Sequence, residues 1–185
     1  MFHRLVSILF SAFLISAVAF PLASAEASKQ TGYLKIKGAK QGEIKGSVSR
    51  KGVEGTTEVI SMSHEVTSEQ DAKAGPGPTR PVRRLHKPIR LRFYYDFSLP
   101  PLYQALATNE ALSEVEYAVH PSGDKSSGSP IFTVRLTDAR VSQIRIMRMG
   151  EGDDARDVVE VSFTYAKIRW TWVDNGITHE DTWEQ

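Results

Sequence analysis

From Ile89 to Phe97 the chain reads IRLRFYYDF, which places Ile89, Leu91, Phe93, Tyr95 and Phe97 on one side and Arg90, Arg92, Tyr94 and Asp96 on the other. A period of two belongs to a half-buried β-strand, because successive side chains leave an extended backbone on opposite faces. The same period returns from Tyr33 to Lys37, Ile44 to Val48, Glu58 to Val66, Leu112 to Val119, Ile131 to Leu136, Val141 to Met149 and Val158 to Trp172, with a last run to Trp183. Turn-forming residues separate these runs: Asp71 to Pro81, Pro121 to Pro130, Gly150 to Asp154, and Val173-Asp174-Asn175-Gly176-Ile177, which predicts a type I′ hairpin. One segment departs. Leu99, Leu102, Tyr103 and Leu106 recur at helical spacing, with Ser98 as a cap and Pro100-Pro101 in the first turn, predicting a helix of about three turns. Many short strands and one helix specify an antiparallel two-sheet or barrel architecture.

The first residues stand outside this pattern. His3 and Arg4 precede an uncharged apolar run from Leu5 to Leu22 that ends in Ala23-Ser24-Ala25, the arrangement of a secretory signal peptide cut between Ala25 and Glu26. An uncleaved membrane anchor is the alternative; Ser7, Ser11, Ser16 and Pro21 weaken it. Residues 26–185 then form a single domain of ordinary size. Loss of Arg4 brings the 23 Lys and Arg of the full chain into balance with its 22 Asp and Glu, and a neutral chain is not built to bind nucleic acid. With no cysteine there are no disulfides, thiolate nucleophiles or Cys-type zinc sites. Neither Asn109 nor Asn175 heads a glycan acceptor triplet.

No segment carries a catalytic or cofactor motif. His64 and Glu65 are neighbours in a strand-like run and point to opposite faces, so they form no acid/base pair; His64 reads as a polar-face or interface residue. His179-Glu180-Asp181 cannot converge on one ion for the same reason and reads as a surface cluster. The glycine-containing stretches 42–55 and 123–128 match no phosphate-binding pattern. No metal, cofactor or catalytic residue is assigned. The segment from Arg80 to Arg92 holds six Lys and Arg and no acid, while Glu110 to Glu116 and Glu151 to Asp157 are acidic. Opposite patches on one chain suit head-to-tail association, which makes a ring when it closes.

Between two alternating runs lies SRKGVEG, Ser49 to Gly55. Tight hairpins use two to five linking residues, and this longer connection carries Arg50, Lys51 and Glu54, so it reads as an arm that reaches something. The blocks EIKGSVSRKGVEGTTEVISMSHEV, HKPIRLRFYYDFSLPPLYQAL, FTVRLTDARVSQIRI and EVSFTYAKIRWTW, in that order, resemble the haemolysin-coregulated protein (Hcp) family, the tube protein of the type VI secretion system.

The resemblance implies a mainly β fold, two antiparallel sheets packed as a barrel with one flanking helix. It further implies a non-enzymatic subunit: six copies close into a ring, rings stack into a tube, small effectors ride in the lumen, and the tube docks beneath a valine-glycine-repeat (VgrG-type) spike. By resemblance, Ser49, Arg50, Lys51, Gly52, Val53, Glu54 and Gly55 form the loop that contacts a neighbouring subunit or the next ring. Gln185 closely follows the last predicted strand, so no C-terminal toxin extension is expected. One feature differs from the family. Tube subunits assemble in the cytoplasm and usually lack a signal peptide, so the leader also supports an exported homologue acting outside the machine, in the periplasm or beyond the cell. In either case the product is a secreted protein that contacts no nucleic acid and, after cleavage, no membrane.

Overall fold

The computed structural model describes residues 29–69, 83–122 and 128–183. The elements run β1 (Gln30–Gly38), β2 (Gly42–Ile44), β3 (Thr57–Val59), β4 (Ser61–Ser63), β5 (Val66–Glu69), β6 (Arg83–His86), β7 (Ile89–Tyr94) and α1 (Leu99–Ala107). They continue with β8 (Leu112–Pro121), β9 (Phe132–Thr137), β10 (Arg140–Met149), β11 (Arg156–Thr164), β12 (Lys167–Trp172) and β13 (Ile177–Thr182). The larger sheet has the order β13-β12-β9-β8-β1, with β3 and β2 end to end along the far edge of β1, β3 beside Gly32 to Leu34 and β2 beside Ile36 to Gly38. The smaller has the order β10-β11-β7-β4, and β5 with β6 makes a ribbon that joins neither. Every pairing is antiparallel.

The core lies between the two sheets. Leu34 and Ile36 of β1, Val115 of β8, Val134 and Leu136 of β9 and Ile168 of β12 are buried in one cluster with Ile89, Leu91 and Phe93 of β7 and Val159, Val161 and Phe163 of β11. Each set alternates at period two, which is why the sequence marks these faces. The predicted run 58–66 does not persist as one strand. β3 pairs with the larger sheet and β4 with the smaller, and between them the Ile60 amide donates to the Arg92 carbonyl at 2.7 Å. A segment serving two sheets must bend where it crosses, and this corner joins them.

Ile44 to Val48 is strand only as far as Ile44, and 158–172 divides at Tyr165-Ala166 into β11 and β12. Strand β7 stops at Tyr94, so Tyr95 and Phe97, expected on the packed face, are 57% and 77% exposed. The cause is Asp96: its carboxylate accepts from the Ser47 amide and hydroxyl at 2.8 and 2.5 Å, and from the Ser98 amide at 2.9 Å, pulling the chain out of the ladder and into α1. Ser98 occupies the N-cap position without capping; its hydroxyl is buried 3.0 Å from Thr57 Oγ1. The helix buries Leu99, Leu102 and Ala105 and leaves Tyr103 exposed. The β12–β13 hairpin forms, but Gly176 has positive φ (66°) and Asn175 does not, so its turn is not type I′. The 71–81 loop lies outside the described residues.

Candidate contact surfaces and a buried histidine cluster

Residues 46–56 fold back on themselves. Gly46 N donates to Gly55 O at 2.8 Å, Gly55 N to Val48 O at 2.8 Å and Val48 N to Thr56 O at 3.1 Å. Gly52 and Gly55 take left-handed φ values of 90° and 72°, and a Cβ on Gly46 would stand 2.2 Å from the Thr56 carbonyl oxygen. Glycine is what lets the two backbones approach so closely. Glu54, itself exposed, folds back to accept the Gly52 amide at 2.7 Å, and Arg50 donates to the Tyr33 hydroxyl at 3.4 Å. Val53 is buried. The predicted arm is thus a compact tip, hydrogen-bonded within itself and anchored by one apolar side chain, that carries Arg50 and Lys51 exposed.

Much of the charge read as complementary patches is spent inside the chain. Arg84 Nε lies 2.8 Å from Asp181 and Arg92 Nε lies 2.7 Å from Glu160. On the acidic side, Glu114 pairs with Lys35, and Glu116 with Arg135. Glu110 is buried: its carboxylate accepts the amides of Lys40 and Gln41 at 2.7 and 2.9 Å and the Gln41 side chain at 2.9 Å. The Gln41 amide, opposed by burial and helped by Lys40, holds the Glu110 carboxyl below its usual range. Cross-strand pairing and turn support consume charges that a linear reading leaves on the surface.

Unpaired apolar surface is the more prominent feature. Ile60, Tyr94 and Met149 are exposed around a shallow groove floored by Val158, and Tyr95 and Phe97 stand beside the entry to α1. Trp172 and Ile177 form a second apolar site on the β12–β13 hairpin. Among the described residues, β13 and β10 are strands with a neighbour on one side only.

Histidines that are far apart in sequence meet at the base of the β5–β6 ribbon. His64 Nε2 lies 2.6 Å and His86 Nδ1 3.1 Å from the Tyr165 hydroxyl, and His86 Nε2 lies 3.2 Å from Asp181 Oδ2, which also takes Arg84. Trp183 stacks on His86, and Trp170 sits between His64 and His179. Asp181 is therefore buried rather than part of a surface cluster, while Glu180 turns the other way to Lys167 and Arg169. Alternation along β13 separates them. His64, read as a polar-face residue, is half-buried here. Reading the sequence missed His86, Tyr165 and Asp181 as a group; the available signal was that β11 breaks at a tyrosine. Ala25 and Glu26 lie outside the described residues.

A family model described as "Type VI secretion system effector, Hcp" matches residues 33–172. The "Major exported protein" of Pseudomonas aeruginosa is 29% identical over 164 residues, covering 82% of this chain and 94% of that protein. Among solved structures, one described as an Hcp protein aligns with a TM-score of 0.70 at 28% identity, over 83% of this chain and 99% of that one. The secreted protein Hcp3 from Pseudomonas aeruginosa aligns with a TM-score of 0.67 at 26% identity, over 85% and 100%. Two antiparallel sheets, one flanking helix and a match from β1 through β12 lead to one conclusion: the chain belongs to the Hcp family of type VI secretion proteins.

Proposed function

We propose that the protein is a structural subunit, six copies of which close into a ring that stacks into the tube of a type VI secretion machine and carries small effectors outward beneath a VgrG-type spike. The observation that carries this reading is the agreement of residues 33–172 with the Hcp family together with a fold shared over nearly the full length of its solved members. Its surfaces suit the task. Tyr95, Phe97, Trp172 and Ile177 offer apolar area, and the open edges of β10 and β13 offer backbone groups to another copy. The tip from Ser49 to Gly55 adds Arg50 and Lys51 as a charged contact with a neighbouring subunit or the next ring. In this role the protein is a conduit, not an enzyme.

The leader supports a second reading, an exported Hcp homologue that forms a ring or binding module in the periplasm or outside the cell. Size-exclusion chromatography with light scattering tests what both readings share: a hexamer is expected, and a stable monomer at high concentration overturns both. N-terminal sequencing of the protein from fractionated cells separates them. Glu26 at the N-terminus of periplasmic protein identifies the exported form; an intact cytoplasmic chain identifies the machine component.

A further inference from the structure

The β5–β6 ribbon joins neither sheet, yet β6 sends His86, with no exposed side-chain surface, into the protein. There its imidazole meets Tyr165, which follows β11, and Asp181 of β13, while His64 reaches the same hydroxyl from the β4–β5 connection. Counting hydrogens fixes what this cluster tolerates. A carboxylate only accepts, so His86 Nε2 carries a hydrogen toward Asp181 in every state. With His86 neutral, Nδ1 accepts the hydroxyl hydrogen of Tyr165, and the hydroxyl oxygen accepts from His64 Nε2–H. If His86 gains a proton, the hydroxyl turns round and donates to His64, whose Nε2 must then be bare. With both imidazoles protonated, the oxygen faces two N–H donors and its own hydrogen has no acceptor in the cluster, while two cations stand with ring centroids 6.3 Å apart. One added proton fits; a second does not.

We propose that this cluster is an acid-released latch, holding the base of the β5–β6 ribbon to the two sheets at neutral pH and freeing it when both histidines become protonated. The surrounding charges do not relieve the conflict. Arg84 already engages Asp181, and Glu65, Lys87 and Arg90 line a small cleft beside His64. Among the described residues, His179 stacks on Trp170, which lies against His64. Burial, and then the charge of His86, hold the His64 imidazole below its ordinary value of 6.5. Burial and the Asp181 charge push the Tyr165 hydroxyl up, so it stays protonated. The closed form binds fewer protons than the open one, so the latch is at full strength above pH 6.5 and weakens as the pH falls below it. A difference of one proton raises the open population about tenfold per pH unit in that window.

Amide hydrogen exchange on the intact protein at pH 7.5 and 5.5, corrected for intrinsic chemistry, tests this. Residues 64–67 and 84–87 should exchange roughly tenfold faster at the lower pH while β7 and β11 do not change. His64→Gln keeps a partner for the hydroxyl but removes one titrating ring, so its ribbon should stay closed at pH 5.5. Tyr165→Phe should open the ribbon already at pH 7.5. A ribbon that exchanges equally at both pH values overturns the latch. So does His64→Gln opening as the unsubstituted protein does.

Discussion

Two carboxylates show how single residues hold this fold. Glu110 supports the β1–β2 turn through two backbone amides and one side-chain amide, and Asp96 ties Ser47 and Ser98 together at the start of α1. Removing either leaves backbone donors without an acceptor, which is the costly way to lose a hydrogen bond. Glu110→Ala should lower unfolding free energy by about 2–3 kcal/mol in urea titrations at pH 7. The pH dependence follows. Burial pushes the Asp96 carboxyl up, but hydrogen bonds from Ser47 and Ser98 outweigh it and, as at Glu110, leave it below its usual range. A depressed carboxyl binds fewer protons folded than unfolded, so its contribution is full above about pH 4.5 and lost as the pH falls through the depressed values. Urea midpoints should fall between pH 5 and pH 3, and fall less in Glu110→Ala.

At the scale of elements, backbone approach matters more than side-chain chemistry. The 46–56 tip closes because Gly46 presses on the Thr56 carbonyl, and neither segment can retreat without breaking the Gly46–Gly55 and Val48–Thr56 hydrogen bonds. Gly46→Ala should therefore cost about 2 kcal/mol or more, read as a fall in thermal midpoint, with circular dichroism still that of a β protein. The same economy explains β3 and β4, which are too short to be stable alone. Each adds to a different sheet, and together they hold a corner.

At the scale of the whole molecule, the apolar groups left in water and the unpaired strand edges ask for another copy. The 49–55 tip offers charge rather than apolar area, so its contribution belongs to register. Charge reversal of Lys51 to Glu should leave the thermal midpoint within about 1 °C, since an exposed charge contributes little to folding. Ring stacking, measured by sedimentation or electron microscopy, should weaken. Unchanged stacking would remove the tip from the assembly contact.

The sequence by itself determined most of the strands and the helix, because burial on one face of a strand writes a period of two that neighbouring residues suffice to reveal; the shared face of Ile89, Leu91 and Phe93 was legible in this way. It did not determine where a strand bends or ends: β7 stops at Tyr94 because Asp96 binds Ser47, a contact 49 residues away in the chain. Nor could it show that Arg84, Glu110 and Asp181 are spent within the chain, or that His64, His86 and Tyr165 share one hydroxyl. Periodicity is a local property, whereas partnership between charged and hydrogen-bonding groups depends on which distant strands the fold lays side by side.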